Sequence, residues 1–331
     1  MLSSTRAGLE VAGPESRRRL LAGAGAWAAL GLAGCAATQT SLLLGRDGAA
    51  GLPRRVELEN TPFFPQDQRY LCGPESLAAV LGAAGIPATP AELQPLVYLP
   101  GREGSLQIEM LAAARRLGAL AVQLPPQLGA LCRELAAGSP VVILQNLGLA
   151  VAPTWHYAVV VGYDLDAGSV LLRSGHERRL AMRMHTFEHT WARSQHWAFV
   201  ALPPGRLPAS AGEAELTRAL LAFERVGQPA AAAVAYQTAV ERWPHNLTLQ
   251  MGRGNTLYAA GRKVEASAVF EAVGRAHRHA AAWINHGNVE LELGRRDRAR
   301  EAARQALALG GPFLPQAKAL QEKVEAAGAT R

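Results

Sequence analysis

The sequence predicts two folded units of different class: a mixed α+β domain at 61–205 and an all-α domain at 214–331. Two observations carry this. In the first span a helix-period apolar stripe is followed by continuous apolar runs of strand length, and beyond 214 the chain resembles itself every 33 or 34 residues. A chain of 331 residues holds two ordinary domains after a leader is set aside. Its 49% hydrophobic and 18% charged residues describe a globular protein rather than a disordered one. The net charge of +7 comes from scattered arginines, with no basic block beyond Arg17-Arg18-Arg19 and no zinc-finger or RNA-recognition pattern. It is read as a solvated basic surface, with no nucleic-acid partner. Three cysteines make no disulfide framework, so Cys35, Cys72 and Cys132 each need a separate account.

The first element is an address. In "SRRRLLAGAGAWAALGLAGC", residues 16–35, three arginines precede an apolar stretch from Leu20 to Leu32, too short to span a bilayer comfortably. The ending Leu32-Ala33-Gly34-Cys35 resembles a bacterial lipobox. That resemblance implies removal of residues 1–34, acylation of Cys35 as a membrane anchor, and residence in the cell envelope facing the periplasm. Ala36, where retained lipoproteins carry Asp, leans towards the outer membrane. The arginines resemble a twin-arginine export pattern, and ordinary Sec export fits nearly as well. Residues 36–60 lack sustained periodicity and read as a tether.

The middle domain turns on "QDQRYLCGPESLAAVL", residues 66–81. Leu77, Val80, Leu81 and Ala84 form a helix stripe. Pro74 suits the first turn, Glu75 the positive end and Gly85 the stop. Cys72 therefore falls at a helix N-terminus, where unpaired N–H groups favour the thiolate. By contrast Leu128, Leu131, Cys132 and Leu135 share one helical face, and Cys132 reads as a small buried hydrophobe. A thiol nucleophile needs a histidine. His156 opens the apolar strand Tyr157–Tyr163, "DLDAGS" turns the chain, "VLLRS" returns, and "SPVVILQNL" is a buried strand just before. His185 and His189 stand four apart without a third ligand of firm spacing. The segment around them reads as Trp/Phe packing, and neither a metal nor another cofactor is implied.

The two motifs together, Gln66-x5-Cys72-Gly-Pro-Glu-Ser-Leu and His156-Tyr-Ala-Val-Val-Val-Gly-Tyr-Asp, resemble the bacteriocin-processing peptidase family, papain-like cysteine peptidases that cleave double-glycine leaders. The resemblance runs from Gln66 to Gly175. It implies a papain-like fold, Cys72 as nucleophile, His156 as base, and Gln66 as oxyanion support with the backbone N–H of Cys72; Gln68 is the weaker choice. The family orients its histidine with an Asp followed by Pro. Here Ser174-Gly175 stands in that place, so Ser174 becomes the third member, with Asn146 on the neighbouring strand as another candidate. Asp164 lies at the far end of the histidine's strand. The family's transporter parts have no counterpart in this chain, which has no phosphate-binding G-x-x-x-x-G-K-[ST] loop, so a double-glycine leader is not implied.

The C-terminal unit carries "GNTLYAAGR" at 254–262 and "GNVELELGR" at 287–295, in frame 33 residues apart. Tyr236, Phe270 and Ala303 occupy equivalent second-helix positions. The pattern resembles tetratricopeptide repeats: three units over 214–312 and a capping helix near 314–327, joined to the first domain by a linker at 206–213. Such repeats either hold a protein partner in a groove or pack on the neighbouring domain. Two functions follow. One is a lipid-anchored thiol peptidase acting on peptides or proteins; the other is a non-catalytic binding lipoprotein on a peptidase fold. The same dyad also serves acyl transfer or deamidation.

Overall fold

The computed structural model describes residues 38–45, 47–66 and 70–329. Its first part is one antiparallel sheet of seven strands with helices on both faces. The strands are β1 (Arg55–Glu57), β4 (Leu120–Gln123), β5 (Val141–Asn146), β6 (Trp155–Asp164), β7 (Ser169–Ser174), β8 (Glu177–Arg183) and β9 (Ala198–Leu202). They run in the order β4-β9-β5-β6-β7-β8, with β1 added along the far half of β6. A small two-stranded ribbon, β2 (Tyr98–Leu99) and β3 (Gly104–Ser105), lies apart. α1 (Thr38–Leu44), α5 (Leu128–Ala136) and α6 (Met184–Ala192) cover one face; α2 (Cys72–Ala83), α3 (Pro90–Val97) and α4 (Gln107–Arg116) cover the other.

Strand alternation sorts β6 between the two cores. Tyr157, Val159 and Val161 face α2, whereas Ala158 and Val160 face α5 and α6. The helix stripe read after Cys72 is buried as expected: Leu77, Val80 and Leu81 are inaccessible, and Gly85 ends the helix at φ +75°. Cys132 is wholly buried in the core opposite to that of Cys72. The two free thiols thus stand on opposite faces of the sheet.

The span read as a tether is not open chain. Residues 38–44 form α1, and its leading N–H groups, those of Gln39 and Thr40, donate to the buried carboxylate of Glu188 at 2.9 and 2.7 Å. The Gln39 side chain ties the same end to α5, accepting from Leu128 N–H at 2.6 Å and donating to the Pro126 carbonyl. Then β1 joins the sheet. A seven-residue helix and a three-residue strand show no sequence period, because distant partners hold them. The leader and Cys35 lie outside the described residues, and among those described no helix is long and apolar enough to cross a membrane.

The repeats form as read: α7 (Glu213–Val226) with α8 (Pro229–Arg242), α9 (Leu247–Ala259) with α10 (Lys263–His277), α11 (Ala280–Glu292) with α12 (Arg296–Leu309), then α13 (Leu314–Ala329). Small residues let neighbouring helices approach. At Gly252 a Cβ would overlap the buried ring of Tyr236, and at Gly287 it would meet Leu320. Leu216, Leu220, Phe223 and Tyr236 belong to the same core as Leu120, Leu202 and Trp191, so the first repeat packs directly on the β4 side of the sheet.

Candidate active site

Cys72 begins α2 and packs at its N-terminal turn. Gly73 is required there by a close approach, since a Cβ would collide with the side chain of Ser105 on β3. The thiol accepts a hydrogen bond from the peptide N–H of Tyr157 at 3.5 Å. His156, one residue earlier, pairs across the sheet with Gln145, and its Nε2 lies 2.9 Å from Ser174 Oγ at the end of β7. The residue in the third-member position thus does bond the imidazole. Among the described residues no hydrogen bond joins thiol and imidazole. They meet through one peptide unit, His156-Tyr157.

Gln66 docks at the same end of the sheet. Its N–H donates to the Gly175 carbonyl at 3.1 Å, and its side-chain oxygen lies beside Gly175, next to Ser174. Gln68 and Cys35 lie outside the described residues. Asn146 does not reach the imidazole. Its Oδ1 accepts from Gly148 N–H at 3.0 Å and Thr154 N–H at 2.9 Å, so it serves the chain turn after β5. Asp164 likewise accepts from Asp166 and Ala167 N–H, closing the β6–β7 turn. His185 and His189 are exposed on α6, whose buried side carries Phe187 and Trp191. Among the described residues no three potential metal ligands gather.

Burial decides the electrostatics. It pushes the Cys72 thiol above its ordinary value, although the N–H groups of Tyr157, Gly73 and Cys72 itself pull the other way; the Glu75 carboxylate adds to the rise. Burial also pushes His156 below its ordinary value. The helix start therefore favours a thiolate less than the local sequence implies, because desolvation outweighs the amides. Both shifts favour the neutral forms, thiol and imidazole, over the ion pair.

Two cavities open on Cys72. A small one of about 20 Å³ lies between the thiol, Glu75, Arg173, Ser174 and Gly175. A cleft of about 1160 Å³ runs from the other side of the thiol between Leu106, Ile108 and Leu111 on one wall and Pro153, Trp155 and Trp197 on the other. Tyr70, Glu103 and Gln195, all with positive φ, line it; such backbone is sparsely populated for non-glycine residues and gathers at functional sites. Sequence reading missed Tyr157, whose amide touches the sulfur, and Ser105, whose carbonyl accepts from the Tyr157 hydroxyl at 3.1 Å. Neither residue type carries a signal of such a role.

A cysteine at a helix start rests against the strand that carries a histidine, on the edge of a cleft. Residues 58–198 match the Peptidase_C39 like family. Residues 225–285 match the tetratricopeptide repeat. Among solved structures, a crystal structure described as a C39-like peptidase from Bacillus anthracis is 21% identical, covering 45% of this chain and 98% of its own, with a TM-score of 0.38. No curated protein matches. Residues 58–198 are thus similar to C39-like peptidases, and the helices beyond them to tetratricopeptide repeats.

Proposed function

We propose that the chain is an exported, lipid-anchored cysteine peptidase in which Cys72 attacks a peptide carbonyl and His156 is the base. The observation that carries this is the placement of the Cys72 thiol on the lining of the cleft, beside the strand that presents a histidine bonded to Ser174. With Nε2–H donated to Ser174 Oγ, Nδ1 is the ring atom left to take the thiol proton. Sulfur then bonds to the carbonyl carbon. The oxyanion is received by the backbone N–H of Cys72 and by Gln66, the nitrogen leaves with the proton from His156, and water hydrolyses the thioester. One oxyanion donor is worth about 3 kcal/mol of barrier. Because burial favours the neutral form of both groups, His156 acts in this reading as a general base during attack rather than as half of a preformed ion pair. Acylation of Cys35 would hold the domain at the periplasmic side of the outer membrane, and the repeats would recruit a protein substrate or partner.

A second reading, a peptide-binding protein on the same fold, is favoured by the raised thiol, the lowered imidazole and the absence of a carboxylate at Ser174. The deciding experiment is cleavage of a mixture-based fluorogenic peptide library by the protein, Cys72→Ala and His156→Ala. Turnover that both substitutions abolish supports the peptidase. Peptide binding that persists without turnover in all three proteins establishes the binding reading.

A further inference from the structure

The connection from β5 to β6 is a feature the proposed chemistry does not use. Residues 147–154 continue the two strands as a hairpin. Leu147 N–H donates to the Thr154 carbonyl at 2.9 Å, and Leu149 and Ala152 exchange bonds at 3.1 and 3.2 Å. Its root is clamped by Asn146, as described, and by Arg193, which donates to the carbonyls of Asn146 and Gly148. From Leu147 to Trp155 there is no charged residue. Register places Leu147 and Leu149 on one face, Pro153 and Trp155 on the other, the one that walls the cleft, and Val151 at the tip. All are exposed: Leu149 is 66% accessible and Val151 91%. A surface that meets a protein partner has one apolar side. This finger is apolar on both sides and at its end.

The entry of the chain points the same way. Gln39 is bound to Pro126 and Leu128, just beyond the end of β4. Leu124 pairs with Ala198, and Ala198 with Ile143, so this is the sheet end at which β5 passes into the hairpin. Three peptide links separate Cys35 from Thr38, at most about 11 Å of extended chain. From Asn146 the hairpin tip projects about 13 Å further. We infer that hairpin 147–155 is a lipid-inserting finger that seats the mouth of the cleft on the bilayer surface. Tryptophan at the root and apolar residues at the tip suit the interfacial region, where such segments bury to about 5–10 Å. The substrates would then be polypeptide segments presented at a lipid surface. The second leg of this argument rests on the anchor reading of Cys35; the apolar finger itself does not.

The test is fluorescence of Val151→Trp, a reporter at the tip, in the full purified protein reconstituted in phosphatidylcholine/phosphatidylglycerol vesicles with brominated acyl chains. The difference between Val151→Trp and the unsubstituted protein isolates the tip signal. The expected result is a quenched component that the unsubstituted protein lacks, and that falls at least twofold when Leu149→Asp is added. Both of those positions are exposed, so an unchanged melting temperature should confirm the fold. Equal quenching with and without Val151→Trp, or indifference to Leu149→Asp, overturns the inference. So does an unquenched tip signal in a protein whose Leu149→Asp variant loses peptide binding, which makes the hairpin a protein surface. Intact mass reads the anchor separately. If Cys35 carries no acyl group, the anchor reading fails, and the same quenching measured after adding the protein to preformed vesicles decides the finger alone.

Discussion

Replacing Ser174 by Asp puts a carboxylate where the imidazole now meets a hydroxyl at 2.9 Å. A hydroxyl orients the ring but does little for its charged form. An adjacent carboxylate typically raises a histidine by about 1–2 pH units, each worth about 1.36 kcal/mol. That shift opposes the lowering that burial causes in His156. The cavity of about 20 Å³ against Ser174 takes up the added atoms. A more basic imidazole lowers the Cys72 thiol in turn. If the thiol falls by about 1–2 units, the thiolate fraction at pH 7 rises about 10- to 100-fold. Lower basicity makes each thiolate a weaker nucleophile by a Brønsted exponent of about 0.45, leaving a net gain of about 3- to 12-fold. The assay is iodoacetamide alkylation of Cys72 against pH, beside the proton NMR titration of the His156 ring. Ser174→Ala should instead cost about 1 kcal/mol of stability and leave alkylation at or below its starting rate. If His156 titrates unchanged in Ser174→Asp and alkylation does not accelerate, Ser174 does not govern the ring and the third-member argument fails.

Three further outcomes follow from the packing. Glu188→Ala leaves two helix N–H groups of α1 without their acceptor and should cost about 2–4 kcal/mol, whereas Glu188→Gln keeps an acceptor and should cost about half of that; thermal melts compare them. Burial holds the Cys132 thiol up to about 12 against an ordinary 9.0. Between those values the unfolded chain has lost a proton that the folded chain keeps, so stability falls as pH rises through that window, by about 4 kcal/mol at its end. Urea melts at pH 8 and pH 11 should show the loss, and Cys132→Ala should remove the about 3 kcal/mol that this thiol contributes by pH 11; the hydroxyls of Tyr157, Tyr163 and Tyr236, likewise raised by burial, add a loss of their own that remains in the variant. Gly252→Ala drives a methyl group into the Tyr236 ring and should destabilise by about 1–3 kcal/mol, read by urea unfolding; an unchanged midpoint would mean that the ring moves freely.

What the sequence made legible was periodic. The stripe from Leu77 to Ala84, the strand from His156 and the 33-residue repeat are local patterns, and each became the element expected. The place of Ser174 came from the resemblance, by setting the returning strand against the one that ends in Asp-Pro in the family; in the structure its hydroxyl lies 2.9 Å from His156 Nε2. What escaped depends on distant partners. α1 forms because Glu188, nearly 150 residues later, receives its N–H groups. Asn146 was a plausible partner for the imidazole by residue type, but its carbonyl oxygen is spent on its own hairpin. The sign of the Cys72 shift escaped for the same reason. A helix start is visible in a dozen residues, while desolvation is set by everything that packs above it.

The core shared by Leu120, Leu202, Leu216, Leu220 and Phe223 has a consequence for how the molecule is divided. A chain ended after the last strand would leave that flank of the sheet wet, and the repeats alone would expose the matching side of α7. The match to the C39-like family ends near residue 198, inside this shared core. The two parts should therefore melt in one transition, read by calorimetry of the full chain, and a partner grasped by the repeats would be held at a fixed bearing and distance from the cleft, as by the arm of a caliper.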